Sequence, residues 1–580
     1  MRSETPASLI EGKDAPLEYS ITTMQDQLQQ LGFNVVEASW LNPVEHVWSV
    51  HLHDRDCPLL YTNGKGATQL AARASALGEF IERLSWHYFW SNFHLGQTRA
   101  NLPIVHFPQE QWFAPPADGR LPAGILNPEL HAFYNPDDAL TYPSLVDLNS
   151  GNTERGICAL PFERLSDGES CWIPVNILGN LYVSNGMAAG NTPMEARTQA
   201  LAEIVERHIK FKVFSENLCL PDIPLEVIAR YPHIAQGIKA LRDAGFGILV
   251  KDASLGGVFP VLNITLLHPE DQGCFSSFGA HPRFDIALER ALTELLQGRA
   301  FDKLANFPEP SFNQAEVADF PNLEQHFIDS SGTVGWRFLS NEADFPFCDW
   351  YFSHHTADDY QWLVDCIHEQ GHQIYLADFT NLGVYSCRIV VPGMSEVYQV
   401  DDLEWENNSL GNAIRPAILR LNQLNHNECK ALLNRLQTLG LTDDRAIWEI
   451  IGLAADPDSA WKTLRIGELK TLLALAIGDS DAILEGCEWI HYFGQLSAER
   501  ALVYRCINAL IQCGQPSAYQ SALTALYGAD TLTLAQALLA GHVRFFGLNE
   551  LGGDMSGSRL HTQLLAAYDK LQINQRYPHH

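Results

Sequence analysis

Three segments of the sequence can be laid over one another without a gap: Ala71 to Arg83, Glu195 to Arg207 and Ile286 to Gly298. Each carries a polar residue (Ser75, Gln199, Arg290), a glutamate four positions later (Glu79, Glu203, Glu294) and an acid or amide three further on (Glu82, Glu206, Gln297). On a helix those positions form one continuous stripe two turns long. Leu77, Leu201 and Leu292 fall between them and point elsewhere, so each segment reads as a helix with apolar buried faces and an acidic one. A single Glu-x-x-Glu is usually a solvated surface pair. Three copies in register point instead to Glu79, Glu82, Glu203, Glu206 and Glu294 converging on one cavity.

Five carboxylates gathered without a counter-charge repel one another strongly. A divalent cation resolves the conflict: carboxylates are hard oxygen donors suited to Mg²⁺, which keeps several waters and bridges protein acids to substrate phosphates. What precedes each segment agrees. Tyr61 to Thr68, Ser184 to Thr192 and Phe278 to Pro282 are runs of small residues between a strand-like stretch and a helix start, where backbone N–H groups can face an anion. Lys13, Lys65, Arg83, Arg207 and Arg290 could pair with phosphate oxygens or hold the acids in place. There is no Gly-x-x-x-x-Gly-Lys-Ser/Thr loop, and no Gly-x-Gly-x-x-Gly follows a strand, so the common NTPase, kinase and dinucleotide folds lose support.

The elements that must position this stripe come from a long chain. Its 580 residues are too many for one core and predict two or three domains. From about residue 20 to 395, strand-like runs such as Val47 to Leu52, Val261 to Leu266 and Cys387 to Val391 alternate with helical segments, a mixed α/β or α+β pattern. Between Trp86 and Gly151, with Pro115-Pro116 and Asn135-Pro136-Asp137-Asp138, the reading is loop-like. After Asn407-Asn408, helical periodicity is expected over 427–438, 443–454, 461–477, 479–492, 498–513, 516–526, 531–545 and 559–572. A loose echo between Leu473–Gly478 and Ala509–Gly514 suggests stacked helix pairs of the tetratricopeptide kind, with an irregular bundle as the alternative. The expected division is therefore 1–405, a mixed domain carrying the acids, and 406–580, all-helical.

A net charge of −31 disfavours binding to nucleic acid or anionic lipid. No 18-residue apolar run spans a bilayer, and Met1 to Lys13 has no signal-peptide character. The twelve cysteines contain no Cys-x-x-Cys pair and read as buried thiols in a reducing cytoplasm. Cys158 and Cys171 lack a base at recognisable spacing, and His51 and His53 lack a third metal ligand.

Taken together, Ser75-x-x-x-Glu79-x-x-Glu82-Arg83, Ser184-Asn185-Gly186 through Asn191, Glu195-x-x-x-Gln199-x-x-x-Glu203-x-x-Glu206-Arg207 and Arg290-x-x-x-Glu294 resemble the nucleotide-binding motifs of the YcaO family. The likeness runs over nearly the whole chain, from Gly12-Lys13-Asp14 to the helical C-terminus. It implies a YcaO-type ATP-binding fold with ATP and Mg²⁺ as cofactors. Glu79, Glu82, Glu203, Glu206 and Glu294 would hold metal. Lys13, Ser20, Ser75, Asn191, Glu195, Gln199 and Arg290 would contact the nucleotide, with Arg83 and Arg207 beside them. The family's activity implies phosphorylation of a backbone amide oxygen, ATP going to ADP and phosphate, in a protein or peptide substrate. The chain ends at Arg576-Tyr577-Pro578-His579-His580 without the proline-rich tail of azoline-forming members, and no leader-binding domain is fused to it, which argues against cyclodehydration. Members built like this one imply a different role, assisting the radical enzyme RimO in β-methylthiolation of an aspartate of a small-subunit ribosomal protein, with a homodimer as the expected assembly. The contrasting expectation is an adaptor whose nucleotide site is structural or regulatory and whose helical domain docks partners. No residue is singled out as the catalytic base or nucleophile.

Overall fold

Three separate antiparallel sheets form in the first 400 residues of the computed structural model. The structure describes residues 8–116, 120–137, 140–147, 150–300, 303–400 and 408–576; the boundary expected at 405/406, Asp138 and the Tyr577 to His580 tail lie outside them. The first sheet is β1 (Val35–Val44), β2 (Val47–Asp54) and β3 (Tyr61–Gly66), in that order. The second contains β4 (Gln111–Phe113), β5 (Ile157–Arg164), β6 (Ser170–Pro174) and β7 (Met187–Gly190), with β11 (Tyr375–Phe379) and β12 (Tyr385–Val390) between β5 and β7. The third is β8 (Gly247–Asp252), β9 (Val261–Leu267) and β10 (Cys274–Ala280). β3, β7 and β10 are all edge strands, and each runs directly into a helix.

Six helices matter for the argument: α1 (Leu17–Gln30), α2 (Gln69–Ser85), α3 (Pro193–Ser215), α4 (Phe284–Leu295), α5 (Thr356–Glu369) and α6 (Arg559–Arg576). α1 follows Pro16 and buries Leu17, Ile21, Met24 and Leu28, a stripe at helical spacing that packs on α2. α3 is sealed by α5 and β12 through Leu201, Ile204, Val205, Leu363, Ile367 and Ile389, and α4 lies on the third sheet through Phe284, Leu288 and Leu292. The 86–151 stretch is mostly irregular, yet Leu95, Val105, Phe107, Leu130 and Tyr134 enter the core of the first sheet.

Beyond residue 408 the chain is helical, giving the mixed α/β domain followed by an all-α region that the sequence predicts. Its main helices are His426–Thr438, Ile466–Ile477, Ser480–Phe493, Ala498–Gln512, Gln520–Tyr527 and Ala529–Leu539. Three expected segments come out shorter or broken. The 461–477 segment is interrupted at Leu464 and Arg465, both extended, so that Ala460–Thr463 and Ile466–Ile477 are separate helices. The 443–454 segment is helical only over Ile447–Ile450, because Gly452 adopts φ +70° and offers its carbonyl to the His94 N–H at 2.9 Å. The 531–545 segment stops at Leu539, ahead of Gly541 at φ +71°. Inside this region Glu468 is buried, and its Oε1 accepts from Arg500 at 2.6 Å and from the Tyr504 hydroxyl at 2.7 Å.

α6 does not stay with the helices before it. Leu564, Leu565, Tyr568 and Leu571 join the core of the first sheet, beside Phe80, Trp90 and Phe107. The Trp90 indole donates to the Leu564 carbonyl at 2.9 Å, the Tyr568 hydroxyl to the Val105 carbonyl at 2.8 Å, and Arg99 pairs with Asp569 at 2.7 Å. Among the described residues no helix is long and apolar enough to cross a membrane.

Candidate functional site

The same construction positions each acidic helix. Thr68 and Thr192 cap α2 and α3, accepting from the N–H of Ala71 at 3.1 Å and of Glu195 at 3.2 Å; Arg283 stands at the matching place before α4. Each edge strand also lies hard against its own helix. A Cβ on Gly64 would sit 2.0 Å from the Ala72 carbonyl oxygen, and one on Gly279 would sit 2.3 Å from that of Ala287. The Thr62 hydroxyl donates to the Ala76 carbonyl at 2.8 Å, and the Ser277 hydroxyl to that of Ala291 at 2.7 Å. These pairs share one sequence offset, so strand and helix meet at the same height in both repeats; Ala188 takes the glycine's place in the other. That common height sets the glutamates level with one another. The offset was present in the sequence, but only the helices draw attention there, because a small strand residue has no periodicity of its own.

At one end of the site lies a polar cluster. Lys13 Nζ donates to Glu195 Oε1 at 3.1 Å, while the Asp14 N–H (3.0 Å) and the Asn191 amide (2.8 Å) both reach Glu195 Oε2. Ser20 Oγ donates to Asn191 Oδ1 at 2.7 Å. Glu195 is buried with all of these partners, so it organises the segment before α1 against the start of α3. Gln199 accepts from Arg290 at 2.6 Å, and Arg290 stands 3.9 Å from Glu206, whose carboxylate also accepts the Ala280 N–H at 3.2 Å. Ser75 stands exposed on α2, one turn ahead of Glu79.

The acids from the three helices meet around Lys65. This lysine pairs with Glu294, and burial pushes its ammonium down to about 8, with Glu206, Glu203 and Glu79 opposing that shift and Arg290 adding to it. Glu79 pairs with Arg83, and burial raises its carboxyl above the usual range, with Glu203 adding to the rise. Glu82 is pushed well above its ordinary value, first by burial and then by the charges of Glu203 and Glu79. Glu203 pairs with Arg207 at 3.0 Å, and Arg207 in turn donates to the Phe327 carbonyl at 3.2 Å and lies 4.1 Å from its ring. The side chains keep 18–31% exposure at Glu206, Glu203, Glu79 and Glu294, so solvent reaches all four.

Among the described residues no three acids or histidines are closed into a ready metal cage. Glu79, Glu203, Glu206 and Glu294 are each turned toward a cation of the protein. The donor set nevertheless fits a divalent ion: oxygen ligands only, crowded enough that Glu82 resists ionisation until further positive charge arrives. Four more residues belong to the site on geometry. Lys65 and Asp14 are described above. His281 is buried with Nδ1 accepting the Arg283 N–H at 3.1 Å, and burial with Arg290, Arg283 and Lys13 nearby keeps it neutral. Arg388, buried and brought down to about 10 by that burial, faces Glu82. Outside the site, burial raises the Cys158 thiol well above its normal value and Cys171 to about 12, which makes inert thiols of both.

Three edge-strand-to-helix repeats whose acids share one hollow, with no phosphate loop, define a class of nucleotide- and metal-binding protein distinct from the common NTPases. Residues 63–395 match the family model described as YcaO cyclodehydratase, ATP- and Mg²⁺-binding, and residues 411–577 match the YcaO cyclodehydratase C-terminal domain. The chain belongs to the YcaO family. It is 48% identical over 97% of its length, and 98% of the relative's, to the ribosomal protein S12 methylthiotransferase accessory factor YcaO of Escherichia coli strain K12. An uncharacterized protein of Haemophilus influenzae is 45% identical over 98% of both chains. Among solved structures, YcaO from Methanopyrus kandleri bound with AMPPCP and Mg²⁺ is 18% identical at a TM-score of 0.40, covering 67% of this chain and 95% of that one.

Proposed function

We propose that this chain binds Mg-ATP between α2, α3 and α4 and uses it to activate a backbone amide of a protein, in support of β-methylthiolation of an aspartate in a small-subunit ribosomal protein by RimO. The observation that carries the reading is the convergence of Glu79, Glu82, Glu203, Glu206 and Glu294, from three separate helices, around Lys65. The role named for the Escherichia coli relative supports the cellular part of this reading.

In this reading the five glutamates hold the metal. Lys13, Ser20, Ser75, Asn191, Glu195, Gln199 and Arg290 hold the nucleotide. Bound Mg-ATP supplies a phosphoryl group that turns an amide oxygen into a group able to leave as phosphate. The chain's own residues prepare that transfer. Arg83 and Arg207, each paired with a glutamate one turn away, are released toward phosphate oxygens when those glutamates turn to metal. Lys65 sets its ammonium among the acids and offsets part of their mutual repulsion. We read the region after residue 408 as a tetratricopeptide-like surface for a partner or a second copy of the chain, and the cytoplasm as its compartment, since ten of its cysteines are buried thiols and none is paired among the described residues.

The test is calorimetric titration of ATP with and without Mg²⁺ for the original protein and Glu203→Gln, beside the mass of ribosomal protein S12 from cells carrying each. Loss of Mg²⁺-dependent binding together with loss of the modified mass is expected. Full modification by Glu203→Gln would instead favour the adaptor.

A further inference from the structure

The open face of the first sheet carries a cleft of about 190 Å³ lined by Ser39, Leu41, Ser49, His51, Asn63 and Gly298. It lies in the pairing register of three strands: Ser39 opposite His51, Leu41 opposite Ser49, and His51 opposite Asn63. The face continues into Lys65, two residues beyond Asn63 and opposite Ser49. Hydroxyl, imidazole and amide side chains line the cleft beside Leu41, which gives it hydrogen-bonding groups and an apolar wall together.

Asn63 ties this cleft to the acidic hollow. Its carbonyl accepts the Gln297 side-chain amide at 2.7 Å, and Gln297 stands one turn beyond Glu294. Its side-chain oxygen holds His51 Nδ1 at 2.8 Å. An oxygen acceptor there places the imidazole proton on Nδ1 and leaves Nε2 as a hydrogen-bond acceptor. The two ends of the site also differ. Lys13, Ser20, Asn191 and Glu195 form one end, while Lys65, Glu294 and Glu79 form the other, and Asn63 of the cleft lies two residues from Lys65 on β3. Where metal-binding carboxylates gather, the phosphates of a nucleotide gather as well.

We propose that this cleft seats an extended segment of the target protein, bringing its amide carbonyl to the phosphate end of the nucleotide, with His51 Nε2 accepting a hydrogen bond from the segment and Asn63 acting as the positioning residue for His51. The proposal rests on the amide-activation reading above and adds the place where the target lies. Ser39 is exposed at the cleft rim on β1, so Ser39→Trp fills the cleft without entering a core; His51→Phe keeps the ring and removes the acceptor.

The experiment compares the original chain, Ser39→Trp, His51→Phe and Glu203→Gln by melting temperature, by calorimetric ATP affinity with Mg²⁺, and by the fraction of ribosomal protein S12 modified in cells. Ser39→Trp and His51→Phe are expected to melt and bind Mg-ATP as the original does, while modification falls by about tenfold or more. Purified S12 added with Mg-ATP is expected to slow amide exchange in β1 and β2 of the original chain and not of Ser39→Trp. Undiminished modification by both cleft variants overturns the cleft while leaving the amide-activation reading intact. Lost Mg-ATP affinity in both also overturns it, because the cleft would then be part of the nucleotide site. Full modification by Glu203→Gln takes down the reading and the cleft together.

Discussion

Replacing Gly64 by alanine asks whether strand-on-helix contact sets the level of the acids. The added Cβ would stand 2.0 Å from the Ala72 carbonyl oxygen, 2.5 Å from the Ala76 nitrogen and 2.6 Å from the Ala76 Cβ. Carbon atoms do not approach such groups within 3.0 Å, so α2 must retreat from β3 by at least 1 Å. No flexible side chain can yield, since two of the three obstacles are backbone. Overpacking of this kind costs about 1–3 kcal/mol, and the strained Thr62–Ala76 hydrogen bond adds about 1 kcal/mol. The retreat carries Glu79 and Glu82 with it, and a displacement of about 1 Å in a reacting site costs on the order of 10²-fold in rate. Gly78→Ala is the matched control: it lies in the same helix, next to Glu79, and its nearest obstacle is Met24 Sδ at 4.0 Å. Alanine there stabilises the helix by roughly 0.5–1 kcal/mol. Melting curves, calorimetric titration with Mg-ATP and phosphate release should therefore move in opposite directions for the two variants in stability, and only Gly64→Ala should lose turnover. A Gly64→Ala protein that binds and hydrolyses ATP as the original does would refute the claim that this contact places the acids.

Glu82→Gln removes a buried carboxyl crowded by Glu203 and Glu79, so the metal-free protein should melt higher while its Mg²⁺-dependent ATP affinity falls; melting with and without Mg²⁺ checks both. The raised carboxyls of Glu79 and Glu82 also fix a pH dependence. The folded protein holds these protons more tightly than the unfolded chain does, so metal-free stability falls as pH rises from the ordinary carboxylate value through the raised one. Mg²⁺ offsets that loss, and the gain in melting temperature on adding Mg²⁺ should be larger at pH 8 than at pH 5.5. Tyr568→Ala should cost about 3–5 kcal/mol and loosen the first sheet as much as the helical region, seen as faster proteolysis around residues 86–107.

The three acidic helices were legible because Glu79, Glu203 and Glu294 repeat at helical spacing behind small-residue loops, and burial by their intervening leucines enforces the same face in the fold. The strands beginning at Val47, Val261 and near Cys387 follow the same local logic. Lys65 was visible only as a nearby cation, since nothing in β3 itself says that its side chain reaches α4. His281 gave no signal, as it sits in a loop whose neighbours come from the start of the chain and from α5. The helical periodicity of 559–572 matches the helix Arg559–Arg576, but periodicity cannot say which core a helix joins. Trp90 meets Leu564 across 474 positions, a pairing that no window of sequence contains.

That last pairing bears on how the protein is made. At about 5–20 residues per second, a ribosome needs roughly 20–90 seconds to travel the 463 positions from Val105 to Tyr568. Through that interval Trp90, Phe107 and the Val105 carbonyl wait for the helix that covers them. A nascent chain therefore spends most of its synthesis with an unsealed apolar surface, open to chaperones, and a message cut short before α6 yields a product that proteases can tell from the finished one.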